Sequence, residues 1–290
     1  MITGSIVALV TPMHADGGVD WNCLERLIDW HLESGTAAIG AVGTTGESST
    51  LNPKEHCEVV RFCVRYTAGR IPVVAGTGSN STVEAIDFTA AAADAGADAC
   101  LLVTPYYNRP TQQGLYEHFK AIAEAVTVPQ ILYNVPGRTA VDMSNDTVFR
   151  LAELKNITGI KDATGELARG RELIQRCGEQ IAIYSGDDPT AMELILDGGS
   201  GSISVTANVA PVLVARMCQL ALAGDREQAV AIDRQLAPLN KALFLEPNPI
   251  PVKWALHQRG IIGEGIRLPL TSLDEQYHAT VLDALEVAGV

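Results

Sequence analysis

Lys161 is the side chain in this sequence best suited to covalent chemistry. It ends the apolar run at 157–160. In an extended strand, Gly159 and Lys161 face one side while Ile160 faces the other. A primary amine that apolar surroundings keep partly uncharged attacks a ketone to form an imine. We therefore expect Lys161 to be a Schiff-base nucleophile at the mouth of the fold.

A structural ion pair is the competing interpretation of this lysine. The carboxylates that could provide it are Asp162, Glu47 and Asp187. The other lysines lie in helical or polar stretches, where we expect solvated ammonium groups: Lys54, Lys120, Lys155, Lys241 and Lys253.

Three further groups could serve an imine-forming lysine. Tyr133 ends the preceding predicted strand, and a phenol can carry protons to and from a reacting carbon. The turn Gly43–Gly46 offers backbone amides and the hydroxyls of Thr44 and Thr45 to a small carboxylate. Arg138 could hold a carboxylate through two parallel hydrogen bonds. The structural alternatives are aromatic packing, a plain glycine turn and a surface arginine.

A repeated strand–helix unit must position these residues. Runs rich in Val, Ile and Ala start 20 to 35 residues apart, which is the length of one strand plus one crossover helix. Helix-start patterns, such as Asn52-Pro53 followed by Glu55, stand between them. The predicted strands are 4–11, 37–43, 72–77, 99–105, 130–135, 157–162, 181–186 and 201–206.

Eight such units predict an α/β fold, a closed (β/α)8 TIM barrel with its active site at the C-terminal ends of the strands. An open doubly wound sheet is the alternative, but no G-x-G-x-x-G follows the first strand. We expect the barrel to occupy 1–224 and a C-terminal helical subdomain 225–290. Its predicted helices are 225–242, 250–258 and 271–288.

Composition excludes several classes of protein. The 290 residues carry a formal net charge of -13, which disfavours nucleic acid and anionic membranes as partners. No apolar stretch is long enough to span a membrane and no cationic segment opens the chain, so we expect a cytoplasmic protein. The six cysteines include no C-x-x-C pair and the six histidines are scattered. We expect reduced thiols and no metal site.

Seven motifs distributed along the chain point to a known family. They are GTTGES at 43–48, PYYNRPTQQG at 105–114, YNVPGRT at 133–139, GIKDATG at 159–165, SGDD at 185–188, SVTANVAP at 204–211 and NPIPVKWAL at 248–256. On these motifs the sequence resembles the dihydrodipicolinate synthase family. That family belongs to the pyruvate-dependent class I aldolases, which also contain N-acetylneuraminate lyase.

The resemblance implies an activity and a set of roles. The enzyme would condense pyruvate with L-aspartate-4-semialdehyde to 4-hydroxy-tetrahydrodipicolinate, the first committed step of lysine and diaminopimelate biosynthesis. It would need no cofactor and would form a homotetramer, a dimer of dimers. The implied catalytic residues are Lys161 as the imine former and Tyr133, Thr44 and Tyr107 as a proton relay, with Tyr107 reaching into the neighbouring subunit. The implied substrate-binding residues are Thr45 for the pyruvate carboxylate, Arg138 for the semialdehyde carboxylate, and the backbones of Gly186 and Ile203.

The family also implies an effector site. Members that lysine inhibits bind it in a cleft, and the matching positions here are Ser49, His56, Asn80, Glu84 and Tyr106. Pro53 stands where some regulated relatives carry histidine, which argues against feedback inhibition. From the sequence alone, Tyr106 is better interpreted as interface packing than as a catalytic group.

Two other functions remain open at the level of sequence. One is an aldolase or lyase for a sugar-derived 2-keto acid such as N-acetylneuraminate, and the other is a non-catalytic barrel that binds a small carboxylate. Arg138 distinguishes the synthase from the sugar-acid aldolase, because the semialdehyde brings a second carboxylate and a sugar chain does not. Formation of an imine with pyruvate would distinguish an enzyme from the non-catalytic barrel.

Overall fold

The fold is a closed barrel of eight parallel strands, seen in a computed structural model that describes residues 1–290. Each strand pairs with the next in sequence, and β8 closes the barrel on β1. The strands are β1 Gly4–Ala8, β2 Ala38–Ala41, β3 Val73–Gly76, β4 Ala99–Val103, β5 Gln130–Asn134, β6 Ile157–Asp162, β7 Ala182–Ser185 and β8 Gly201–Ser204. All eight lie inside the predicted ranges, and the predicted TIM barrel is confirmed.

Helices connect the strands around the outside of the barrel. They are α1 Trp21–Glu33, α2 Pro53–Thr67, α3 Thr82–Ala95, α4 Gln112–Ala125, α5 Pro136–Thr139, α6 Asn145–Ala152, α7 Leu167–Cys177, α8 Asp188–Leu196 and α9 Pro211–Leu222. Strand side chains alternate as the period of two requires. Ile6, Ile131 and Tyr184 fill the barrel interior, whereas Ile160 and Ile183 pack outward against the helices.

Three helices follow the barrel, namely α10 Arg226–Ala242, α11 Ile250–Gln258 and α12 His278–Ala288. The expected helix at 271–288 was too long. A 3-10 turn, Glu275–Tyr277, precedes α12, and the Asp274 side chain accepts a hydrogen bond from the backbone of Gln276 at its start. An aspartate in that role marks where helical structure begins.

The C-terminal helices share one hydrophobic core with the barrel helices. Leu236 and Leu239 of α10, Val252 of α11 and Val281 of α12 belong to the same buried cluster as Leu24 of α1. The division at residue 224 stays a prediction. No helix in the chain is both long and apolar enough to span a bilayer. All six cysteines are free thiols.

Candidate active site

A cavity of about 110 Å³ opens at the C-terminal ends of the strands. The structure brings seven of the eight predicted catalytic and substrate-binding residues to its wall: Thr44, Thr45, Tyr133, Arg138, Lys161, Gly186 and Ile203. This is the end of a parallel barrel at which catalytic groups are found.

Lys161 reaches this cavity from inside the barrel. It pairs in register with Tyr133 on β5, and its Nζ lies 4.3 Å from the centre of the Tyr133 ring. The residue is 5% exposed. On the other side, a Cβ at Gly186 would lie 2.7 Å from Lys161 Cε, so only glycine leaves room for the lysine chain. The amine is thus held between an aromatic ring and a bare backbone.

The ion-pair interpretation of Lys161 is not supported. None of the ion pairs in the structure includes Lys161. The three carboxylates that could have paired with it are held elsewhere: Asp162 by Arg169, Glu47 by Lys253, and Asp187 by the hydroxyl of Thr190. The amine therefore remains free to meet a ligand.

The expectation of a solvated ammonium was wrong for Lys253. Its side chain is 4% exposed, forms an ion pair with Glu47 and donates to the carbonyl of Thr11 over 3.1 Å. Burial lowers the pKa of this lysine, and the charge of Glu47 partly opposes that effect. Helix α11 is buried along nearly its whole length, so a polar residue in this helix is not necessarily exposed to solvent.

The turn after β2 presents the two threonines. Val42 and Glu47 both adopt left-handed backbone conformations, with φ of 55° and 58°. The hydroxyl of Thr11 donates to the carbonyl of Gly46 over 2.7 Å and fixes the middle of the turn. Thr45, which is 2% exposed, accepts a hydrogen bond at its Oγ1 from the Asn248 amide over 2.9 Å. These contacts hold a strained turn in one shape.

Arg138 lies at the rim of the cavity on the short helix α5. Its Nη2 donates to the carbonyl oxygen of Asn248 over 3.0 Å, and the residue as a whole is exposed. The cavity lining includes two basic side chains, Arg138 and Lys161, and one carboxylate, that of Asp187. The site therefore offers positive charge within a chain of net charge -13, as the binding of small carboxylates requires.

Tyr107 is the predicted catalytic residue that the structure does not bring to the cavity. It lies at a loop tip with a φ of 72°, and it is 89% exposed. A large aromatic side chain this exposed has no packing role within its own chain. Its role in the proton relay stays a prediction.

Among the residues of the cavity wall that the sequence did not indicate, Phe244 and Asn248 are the two that follow the barrel in the chain. Both lie in the segment between α10 and α11, far along the chain from the strand ends. The motif NPIPVKWAL at 248–256 was recognised, but no side chain in it was given a role. The hydrogen bonds of Asn248 to Thr45 and Arg138 could not be inferred without the fold.

The predicted effector residues gather around a neighbouring cavity of about 380 Å³. Ser49, His56, Glu84 and Tyr106 line it, while the Asn80 side chain lies beside it and donates to the carbonyl of Tyr106 over 3.2 Å.

His56 forms one wall of this second cavity. Its ring stacks on Phe88 with centres 4.3 Å apart, and Nε2 lies 2.7 Å from the carbonyl oxygen of Gly76. Burial lowers the pKa of His56, so the ring is neutral near pH 7. Pro53 lies on the same wall, and Thr44 and Arg138 are shared with the first cavity. Lysine binding there stays a prediction.

Comparisons with known proteins agree with this geometry. The model of the dihydrodipicolinate synthetase family matches residues 1–288. Curated 4-hydroxy-tetrahydrodipicolinate synthases from Thioalkalivibrio sulfidiphilus and Stutzerimonas stutzeri are 64% and 62% identical over 290 residues, which is 100% of this chain and 99% of each relative. The crystal structure of a chloride-inhibited dihydrodipicolinate synthase from Acinetobacter baumannii complexed with pyruvate has a TM-score of 0.99, at 60% identity and 100% coverage of both chains.

Proposed function

The chain belongs to the dihydrodipicolinate synthetase family, and from this premise we propose that it condenses pyruvate with L-aspartate-4-semialdehyde to 4-hydroxy-tetrahydrodipicolinate. The observation that carries the proposal is the unpaired amine of Lys161 in a cavity that also presents Thr45 and Arg138. An amine and two carboxylate-binding groups suit a keto acid and an amino acid aldehyde.

The reaction begins with attack of the Lys161 amine on the keto carbon of pyruvate. Loss of water gives a protonated imine, which draws electrons from the adjacent methyl group. Loss of a methyl proton then gives an enamine, and its carbon adds to the aldehyde of the second substrate. The amine of that substrate attacks the imine carbon and displaces Lys161 as the ring closes. The protonated imine itself accepts the electrons released when the methyl proton leaves, so the proposed mechanism uses no group beyond the residues named here.

Proton transfer falls to the hydroxyl groups beside the amine. Tyr133 lies against Lys161 and Thr44 lies on the same wall, so we assign both to a relay. We assign the third hydroxyl to Tyr107 of a neighbouring subunit, because that side chain is exposed at a loop tip in its own chain. This requires an oligomer, for which we propose a cytoplasmic homotetramer built from two dimers.

Substrate binding divides between the two carboxylates. Thr45, with the backbones of Gly186 and Ile203, holds pyruvate close to Lys161, and Arg138 at the rim holds the carboxylate of the semialdehyde. In this arrangement the carboxylates lie on either side of the reacting carbons. The arrangement places the two substrates for carbon–carbon bond formation.

Reduction of the imine tests the covalent step. Protein incubated with pyruvate and borohydride should gain the mass of a reduced pyruvyl adduct, mapped to Lys161. Lys161→Ala should lose both the adduct and turnover, whereas Lys54→Ala, at an exposed lysine, should keep both. A wild-type protein that forms no adduct would support a non-catalytic carboxylate-binding barrel instead.

Arg138→Ala tests the second substrate. Loss of a charge-assisted hydrogen bond should raise the KM for the semialdehyde by roughly 10- to 100-fold, with a smaller change for pyruvate. Steady-state kinetics with each substrate varied in turn measure both constants. Equal losses for the two substrates would contradict the assignment, and turnover of a sugar-derived aldehyde in preference to the semialdehyde would favour the related aldolase activity.

A further inference from the structure

Asn248 connects the C-terminal segment to both predicted carboxylate sites. The residue is 5% exposed and lies on the cavity wall. Its side-chain Nδ2 donates to Thr45 Oγ1 over 2.9 Å, and its backbone carbonyl accepts from Arg138 Nη2 over 3.0 Å. One residue thus contacts the pyruvate side through its side chain and the semialdehyde side through its backbone.

The direction of the first hydrogen bond determines what Thr45 can do. A hydroxyl group has one hydrogen to donate and two lone pairs that accept. The Asn248 amide occupies a lone pair of Thr45 Oγ1 and leaves the hydroxyl hydrogen unused. Asn248 accordingly sets Thr45 up as a donor, which is what a carboxylate needs.

The other end of the same amide is costly to the folded protein. Asn248 Oδ1 is buried and has no hydrogen-bond partner. A buried acceptor without a partner destabilises the native state, so stability alone does not explain an asparagine at this position. An amide retained despite this cost indicates a role in the site.

We propose that the Asn248 side chain is a positioning residue that orients the Thr45 hydroxyl toward the carboxylate of pyruvate. The proposal rests on the proposed function, because it takes pyruvate as the ligand of Thr45. It assigns no contact between Asn248 and the reacting atoms. The effect is confined to the pyruvate half of the site, since replacing the side chain leaves the backbone carbonyl that holds Arg138.

The test is a split between the two Michaelis constants. Asn248→Ala should raise the pyruvate KM roughly tenfold, the loss of one hydrogen bond, and leave the semialdehyde KM within about twofold. Asn248→Asp should raise the pyruvate KM further than Asn248→Ala does, because a carboxylate accepts the Thr45 hydrogen and repels the pyruvate anion. In a Thr45→Val background, Asn248→Ala should change the pyruvate KM no further.

Asn240→Ala is the matched control. Asn240 is also a buried asparagine bonded to a threonine, since its Oδ1 accepts from the Thr206 hydroxyl over 2.7 Å, but it does not line the cavity. We expect this variant to lower the unfolding temperature and leave both Michaelis constants unchanged. In Asn248→Ala the lost hydrogen bond to Thr45 and the removed unsatisfied acceptor have opposite effects on stability, so its unfolding temperature should fall less than that of Asn240→Ala.

The outcomes separate this proposal from the proposed function. Asn248→Ala must still form the borohydride adduct at saturating pyruvate if the wild type does. An unchanged pyruvate KM in a variant that forms the adduct would overturn the positioning role alone, as would equal rises in both constants. Absence of the adduct in the wild type would overturn the proposed function and the positioning role with it.

Discussion

Lys161 and Lys253 are both buried lysines, and their surroundings give them opposite roles. Lys253 is paired with Glu47, whose side chain has no exposed surface, whereas Lys161 has an aromatic ring beside it and no carboxylate partner. A buried ammonium with a carboxylate partner stays fixed in its pair. An amine at the wall of a cavity with no carboxylate partner is not fixed in this way and can meet a keto substrate. At the scale of single residues, the presence or absence of a carboxylate partner therefore distinguishes the structural lysine, Lys253, from the proposed nucleophile, Lys161.

Lys253→Met should test how strongly the pair holds the turn after β2. Removing one partner leaves the charge of Glu47 buried and unpaired, which should lower the free energy of unfolding by about 3–5 kcal/mol. Urea denaturation measures the change. Lys54→Met is the control, because its pair with Glu58 is exposed, and it should alter stability by less than about 0.5 kcal/mol.

A double variant identifies the cause of that loss. Lys253→Met combined with Glu47→Gln carries no buried charge at the site, so it should be more stable than Lys253→Met alone. If the double variant instead lost the sum of the two single effects, poorer packing rather than an unpaired charge would explain the destabilisation.

Predictability at this scale follows sequence distance. Lys161, Tyr133, Thr44, Thr45 and Arg138 could be found because each lies at or just beyond a strand end, and parallel strands bring their ends together. The contacts Asn248–Thr45 and Lys253–Glu47 join residues 203 and 206 positions apart. No local sequence pattern encodes contacts over such distances, so these two contacts could not be predicted from the sequence.

The start of helix α2 is one of the elements that join the barrel to the C-terminal segment. Asn52 accepts from the backbone of Glu55 over 3.0 Å, and the Glu55 side chain accepts from the backbone of Asn52 over 3.2 Å, which forms a capping box. The same carboxylate receives two hydrogen bonds from Arg267, and these hold the pKa of Glu55 below its usual value. One helix terminus therefore fixes a distant part of the chain.

Asn52→Ala should measure the capping contribution. Loss of the side-chain acceptor should lower the free energy of unfolding by about 1 kcal/mol, while Asn52→Asp keeps an acceptor and should be close to neutral. Asn22→Ala, at an exposed position within α1, is the control and should not destabilise. Chemical denaturation of the three variants gives the comparison. Equal stability of Asn52→Ala and wild type would show that Arg267 alone holds this helix start.

The elements themselves were predictable where their pattern is strong. Each buried strand is a short apolar run bounded by turn residues, and the repeat of eight such runs indicates a barrel. The end of the chain was harder, because Thr271, Ser272 and Leu273 could begin a helix by composition while the observed turn starts at Glu275. The position of the capping aspartate, Asp274, was the information that the prediction did not use.

At the scale of the whole molecule, three histidines are buried, and two of them, His31 and His118, have strongly lowered pKa values. Burial lowers these two pKa values to about 3 and about 4. In both rings Nδ1 lies 2.9 Å from a threonine hydroxyl, and Nε2 has no partner. Protonation would place a charge at that unpartnered nitrogen inside the core. The folded state therefore requires the neutral rings.

Acid should destabilise the protein well before its carboxylates are protonated. An unfolded histidine has a pKa of about 6.5, so between about pH 6.5 and pH 4 the unfolded chain binds protons that the folded chain does not. The contribution of each neutral histidine to the free energy of unfolding is fully present above that range. It is lost as the pH falls, by at most ~1.4 kcal/mol per pH unit for each histidine.

Urea denaturation of His31→Gln at pH 7, 6 and 5 should therefore show a smaller fall in unfolding free energy than the wild type. Glutamine can keep the hydrogen bond to Thr36 and does not titrate. His14→Gln, at an exposed histidine, should keep the wild-type slope. A wild-type slope in His31→Gln would mean that His31 does not contribute to the loss of stability in acid.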